Sequence, residues 1–249
     1  MAIEVFNRYE QKYILNEPMF SAINEGVKAR MESDRYSADG RFYPICNIYY
    51  DTQDFHLIRT SLDKPAYKEK IRLRSYGRVN PKDTVFLEIK KKYHGLVNKR
   101  RTAISIAEAE RFIRTGEMPM VRPGMNEQVV HELSAFIRRY PPLVPKAYVA
   151  YDRIAYFDCE THDLRISFDT NLRARDTSLT LTAKDMGVPI LSPDYYVLEV
   201  KTRFGAPLWL TELLEKNGAK KQSFSKYGTF YQQMLSGENT FLEIPSEIA

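Results

Sequence analysis

The segment YKEKIRLRSYG, residues 67–77, limits what this chain can fold into more than any other stretch. Its alternation is that of a β-strand, in which every second side chain shares a face. Lys68, Lys70, Arg72 and Arg74 then point the same way, with neighbours roughly 6–7 Å apart. At an effective dielectric near 20, each adjacent pair repels by about 2–3 kcal/mol before salt screening. A strand built this way calls for an anionic partner at a fixed place. The net charge of +5 conceals how concentrated the cations are. Lys64 to Arg101 holds thirteen Lys/Arg against three Asp/Glu, while the rest of the 249-residue chain is net −5. A basic block inside a slightly acidic protein implies a localised anionic ligand.

Other strands repeat the pattern. Arg8, Glu10 and Lys12 share a face in FNRYEQKYIL, Glu88 and Lys90 in FLEIKKK, and Glu199 and Lys201 in VLEVKTR. Tyr151 and Arg153 do so in YVAYDRIAY, as do Arg165, Ser167 and Asp169 in LRISFD. The opposite positions are mostly apolar, including Ile71, Leu73, Val85, Leu87, Ile89, Ile166, Phe168, Leu198 and Val200; Glu69 interrupts the series. A solvated sheet face explains any one of these strands. Taken as a set, they point to helices over the apolar face and a charged face lining a groove or a barrel interior. A barrel of about eight strands can hold a ligand inside. Cations in such a space need a dense polyanion. The carboxylates Glu10, Glu88 and Glu199 among them suggest a divalent metal bridging to it. Phosphate chains meet both requirements.

The remaining segments read as helices between the strands. Asn16 with Pro18 opens one at NEPMFSAINEGVKARM, and DFHLIRTSL is a short second. Ser105 and Glu108 form a capping box for a third that ends at Gly116. Residues 126–139, Pro207–Asn217 and SFSKYGTFYQQML complete the set. The pattern is α+β: an antiparallel eight-stranded β-barrel, a tunnel, with helices packed outside. One domain is expected over residues 1–236, with a helical insertion at 105–142 and a tail at 237–249. Cys46 and Cys159 form no CxxC and read as reduced, buried thiols, and the four histidines lack metal-ligand spacing. No signal peptide or membrane span is apparent, so a cytoplasmic chain is the default. Neither GxxxxGK nor GxGxxG occurs, which argues against P-loop or Rossmann handling of ATP. Aromatic residues are sparse among the cations, which argues against nucleic acid. Oligomeric state leaves no signal.

The ExK strands, IRLR, YDR, LRISFDTNL and SKYG resemble the catalytic domain of vacuolar transporter chaperone (VTC) polyphosphate polymerases, over roughly residues 6–235. That family is part of the triphosphate tunnel metalloenzyme superfamily, with the CYTH-type phosphatases and cyclases. The resemblance implies a tunnel-forming barrel and transfer of the ATP γ-phosphate onto a growing polyphosphate chain, with Mn2+ or Mg2+. It also implies phosphate contacts from Lys12, Arg72, Arg74, Lys90, Lys99, Arg153, Arg165 and Lys226, helped by Tyr151 and Ser225, and a metal on Glu199. Lys68, Lys70 and Lys201 complete the substrate-facing set. The eukaryotic pattern adds a membrane segment and a phosphate-sensing domain that are not seen here. A membrane-protein partner and a place at the inner face of the membrane stay open. The rival activities are a triphosphatase of the same fold and a non-catalytic polyphosphate binder.

Overall fold

The alternating segment forms a strand over Tyr67–Tyr76, one of eight long ones among the described residues. The computed structural model describes residues 5–160 and 163–237, with side chains from Tyr9 onward. Arg8's side chain, His162 and the tail beyond Gly237 lie outside the described residues. Chain order is β1 (Val5–Asn16), α1 (Glu17–Lys28), β2 (Glu32–Ser33), β3 (Tyr43–Asp51), α2 (His56–Leu62), β4 (Tyr67–Tyr76), β5 (Thr84–Tyr93), β6 (Leu96–Ser105), α3 (Ile106–Thr115), α4 (Glu127–Arg139), β7 (Val144–Phe157), β8 (Leu164–Arg175), β9 (Val188–Pro189), β10 (Tyr195–Thr202), α5 (Leu208–Lys216) and α6 (Lys226–Ser236). Strand pairings run β2-β7-β3-β4-β5-β6-β1-β10-β8-β9, and β7 pairs with β8 as well. β3–β4, β4–β5, β5–β6, β1–β10 and β10–β8 all pair antiparallel, as the sequence leads one to expect. The chain divides into two compact units.

The first unit comprises residues 1–7, 45–149 and 174–187. The meander β3-β4-β5-β6 is its centre. Asn80 and Asp83 bond to each other across the β4–β5 turn, backbone and side chain both taking part. The β5–β6 bend is only two residues long, since Tyr93 already pairs with Leu96. His94 and Gly95 take φ of 44° and 90°, the doubly left-handed geometry whose twist matches the strands it joins. The register sets Ile71 against Ile89, Leu73 against Leu87 and Val85 against Ile104, all buried. Each such side chain contributes about 1.5–3 kcal/mol on burial. α3, with its Ser105–Glu108 capping box, and α4, capped by Asn126, cover this apolar face. They press Phe112, Ile113, Val129, Leu133 and Phe136 toward it. The interruption at Glu69 has a local reason: the hydroxyls of Tyr67 and Tyr140 each donate to its buried carboxylate at 2.6 Å.

The second unit comprises residues 8–44, 150–173 and 188–249. Its sheet places β10 between β1 and β8. Leu15, Ile23, Val27, Ile154, Ile166, Phe168, Leu198, Val200 and Leu210 form one core between the strands and the helices α1 and α5. Asn16 caps α1 through its side chain, and Pro18 occupies the first turn. α1 and α5 approach so closely at Gly26 that a β-carbon there would meet Leu213 at 2.7 Å. Trp209 packs partly buried on this core, with the Arg30 guanidinium 5.5 Å from its ring. In both units, helices take the apolar face of the strands.

Cys46 is buried as expected, but Cys159 is exposed; both are free thiols. Cys159 lies just past the end of β7, where no apolar alternation dictates an inward direction. α2 shows how an irregular start is held. Its N-cap Phe55 has φ of 62° and no capping side chain. The fully buried Asp51 accepts instead from the amides of Leu57 at 2.8 Å and Ile58 at 3.0 Å. Asp51→Ala leaves both amides without that acceptor and is expected to lower unfolding free energy by about 2–3 kcal/mol. A fall in the urea midpoint at unchanged m-value is the measurement.

Candidate active site

In the first unit, the face of β4–β6 away from α3 and α4 is ionic. Cross-strand register stacks Lys68 on Lys92, Lys70 on Lys90 and Lys99, and Arg72 on Glu88 and Arg101, with Arg74 in the next row. Eight cations therefore share this face with one carboxylate, Glu88. Glu88 is buried and gathers the cations nearest to it. Arg72 donates to it through Nε at 2.9 Å and lies 2.8 Å away through Nη2. Lys99 Nζ is at 2.5 Å and Arg74 Nε at 3.8 Å. β3 holds the arginines from the other side: Tyr49 OH accepts from Arg72 at 3.0 Å, and Asn47 Oδ1 accepts from Arg74 at 3.0 Å. Asn47 is fixed in turn by donating to the Val149 carbonyl. Burial opposes the charge on Glu88, but Arg74, Lys99 and Arg72 outweigh it and hold its carboxyl well below the usual range. Burial and the nearby guanidinium groups push the Lys99 ammonium well down, against the pull of Glu88.

The second unit carries a different cluster. Here the register aligns Glu10, Lys201 and Arg165 in one row and Lys12, Glu199 and Ser167 in the next. Glu199 lies 2.6 Å from Lys201, 3.3 Å from Arg153 and 3.4 Å from both Lys12 and Lys226. Asp169 takes Arg153 as a two-pronged partner at 2.6 and 2.8 Å, and Lys226 at 2.6 Å. Tyr151 lies beneath both cations, its ring 5.2 Å from Arg153 and 4.6 Å from Lys226. Lys12 also donates to the Phe224 carbonyl at 2.8 Å and lies 3.4 Å from Glu10. Burial disfavours the charges on Glu199 and Asp169, yet the surrounding cations pull both carboxyls down. Burial lowers the Lys201 ammonium to about 8, Arg153 adding to the fall and Glu199 opposing it.

The residues expected from the sequence thus gather in two groups, one per unit. Some take partners of their own. Arg165 pairs with Asp34 at 2.7 Å. Lys68 donates to the Ser61 carbonyl at 2.9 Å. Ser225 is the N-cap of α6, accepting from the Gly228 amide and setting Lys226 at the first position of the helix. Sequence reasoning gave no role to Asp169, although alternation in LRISFD puts it on the face of Arg165 and Ser167. It also missed Asn47, Tyr49 and Asp34, whose importance comes from register with, or proximity to, an arginine on a distant segment.

Among the described residues, no three His, Cys, Asp or Glu side chains form a group able to enclose a metal. A small divalent ion needs less, because it keeps water and takes one or two carboxylates together with phosphate oxygens. Glu199 and Glu10, in adjacent rows of the same face, supply acidic oxygen donors of that kind. The donor chemistry therefore fits a phosphate-bound hard cation and no closed cage.

Comparison with known proteins places this arrangement. The chain is 27% identical over 221 residues to the vacuolar transporter chaperone complex subunit 4 of Trypanosoma brucei brucei, and 28% identical over 221 residues to that of Trypanosoma cruzi. Each alignment covers 74% of this chain but only 27% of the relative, so the chain spans about a quarter of their length. A Bacillus halodurans structure named for a proposed adenylate cyclase shares the fold at TM-score 0.55 and 13% identity, covering 90% of this chain and 96% of that one. A Hippeastrum structure, named for a proposed adenylyl cyclase with a dominant triphosphatase activity, aligns at TM-score 0.50 and 14% identity over 98% of both chains. No helix among the described residues is long and apolar enough to cross a membrane. Residues 7–235 match the VTC domain, and the chain belongs to that family.

Proposed function

We propose that this chain is a metal-dependent polyphosphate polymerase, moving the γ-phosphate of ATP onto the end of a growing polyphosphate chain. One observation carries the reading: a strand face bearing eight cations around a single buried carboxylate, Glu88. Such a face needs a dense, flexible polyanion more than a single small anion. Membership of the VTC domain family and relatives named as subunit 4 of a vacuolar transporter chaperone complex support it.

Phosphoryl transfer runs through a loose transition state, so the protein's work is positioning and charge neutralisation. An oxygen of the terminal acceptor phosphate bonds to the γ-phosphorus as the bond to the bridging β–γ oxygen breaks, and ADP leaves. Arg72 and Arg74 meet phosphate with forks already oriented by Glu88, Tyr49 and Asn47. Arg153 is oriented in the same way by Asp169. Arg165 contributes a further fork, shared with Asp34. Lys12, Lys90, Lys99 and Lys226 screen the repulsion between donor and acceptor, with Lys68, Lys70, Lys201, Tyr151 and Ser225 completing the substrate contacts. Glu199, with Glu10, would hold Mn2+ or Mg2+, and Glu88 is the corresponding carboxylate of the first unit. When bound, the ion adds positive charge against the leaving diphosphate. The same reading makes residues 1–236 the catalytic domain and α3–α4 an insertion within it. Assembly with other subunits at the inner face of a membrane extends it to partners.

The deciding experiment incubates the protein with ATP and manganese and sizes the products on a gel. Chains longer than the donor establish the polymerase. Orthophosphate alone would make the protein a triphosphatase, and binding without turnover a polyphosphate receptor. Glu199→Gln is expected to cut metal-dependent turnover at least ~100-fold, the loss of a few kcal/mol of charge stabilisation. It should keep the far-ultraviolet spectrum and measurable tripolyphosphate binding.

Lys201 gives a pH signature. With an ammonium near 8, it is charged below that pH and neutral above it. The cation favours a phosphate ligand, so kcat/KM for ATP is expected to fall as pH rises through about 8. Lys201→Arg keeps its charge throughout and should remove that inflection from the pH profile.

A further inference from the structure

One hydroxyl of the second unit differs from everything around it. Ser167 is fully buried, and its Oγ has no hydrogen-bond partner. Buried hydroxyls are ordinarily bonded, because an unmade bond forfeits hydration with nothing in return. Ser167 lies on the ionic side of β8, between Arg165 and Asp169 along the strand and directly across from Glu199 of β10. Its ionic neighbours are all engaged. Arg165 pairs with Asp34, Asp169 with Arg153 and Lys226, and Glu10 with Lys12.

Glu199 shows why the hydroxyl is left over. A carboxylate offers about four acceptor positions, two on each oxygen. Lys201 and Arg153 lie on Oε2, and Lys12 and Lys226 on Oε1. Four cations thus occupy all the places that a donor across the strand could use. The four are not equivalent. Arg153 and Lys226 are each 7% exposed and are also held by Asp169, whereas Lys12 and Lys201 are 17% and 22% exposed. An incoming phosphate therefore recruits Lys12 and Lys201 first, one from each oxygen of Glu199. Ser167, with no exposed surface, is out of reach of that phosphate, so its partner comes from within the protein.

We propose that Ser167 is a positioning residue for Glu199: when Lys12 or Lys201 turns to phosphate, the Ser167 hydroxyl donates to the acceptor position given up. The proton stays on Ser167, and the carboxylate keeps its orientation as its lysines leave. This rests on the polymerase reading, which supplies the phosphate, and adds a residue that acts only once phosphate has arrived.

The test is a double-mutant cycle read by calorimetry, with tripolyphosphate and Mn2+ as the probe and the full chain as wild type, Ser167→Ala, Glu199→Gln and both together. Ser167→Ala is expected to weaken binding about tenfold, as when a metal-holding carboxylate loses its supporting hydrogen bond. In the Glu199→Gln background the same change should cost less than about twofold, because its effect runs through Glu199. Urea unfolding without phosphate separates positioning from packing. Removing an unbonded hydroxyl should leave the midpoint where it is or raise it. A lowered midpoint makes the hydroxyl a support of the fold and overturns the proposal. Equal losses of affinity in the two backgrounds, or no loss in either, overturn it as well. If wild type binds no tripolyphosphate, the polymerase reading falls and takes this role with it. If wild type binds and elongates but the cycle shows no coupling, only the role of Ser167 falls.

Discussion

The arrangement depends on one carboxylate. Glu88 sits at 1% exposure within a sheet face of β4–β6 whose other charged side chains are all cationic. Isolated in a protein interior, a carboxylate is expensive to ionise, and adjacent cations are costly to one another. Placed together, each relieves the other, and the charges that surround Glu88 keep it ionised despite its burial. Buried ion pairs add little net stability compared with apolar packing, but losing one partner costs several kcal/mol. The sheet therefore tolerates its arginines because Glu88 is there, and the arginines remain oriented for a ligand. Glu199 and Asp169 do the same for Arg153 and Lys226 in the second unit.

An ionic face of this kind can be built because each strand has two independent sides. Ile71 and Leu73 anchor β4 against its neighbours while Arg72 and Arg74, alternating with them in sequence, carry charge on the other side. The helices complete the division. α3 and α4 take the apolar side in the first unit, and α1 and α5 in the second. The acid on the helix side is also engaged: Glu69 receives two tyrosine hydroxyls, and Glu132 of α4 lies 3.3 Å from Arg100.

The long elements were legible because their signals are local. Alternation identifies β4, β5, β8 and β10, and the Ser105–Glu108 box and Asn16 mark helix starts that the structure reproduces. The strands β2 and β9, two residues each, are too short to carry a period. Candidate site residues with a repeating context, such as Arg72 or Glu199, were readable for the same reason. Asn47, Tyr49 and Asp34 were not. Asn47 and Tyr49 matter because β3 lies in register beside β4, and Asp34 because it meets Arg165 across 131 positions of sequence. Pairing between distant segments is set by the whole fold. Cys159 escaped because the frequent burial of cysteine says little about one particular loop.

The bend at His94 and Gly95 does more than reverse the chain. It has no slack, so it alone sets the reading frame between β5 and β6. Sliding one strand past the other by a single residue would exchange its two sides. Lys99 and Arg101 would turn toward the oily layer beneath α3 and α4, and Thr102 and Ile104 would surface among the charges. The two-sided division of this hairpin thus hinges on a corner that carries none of its charged rows, and even a one-residue insertion there would turn the hairpin inside out.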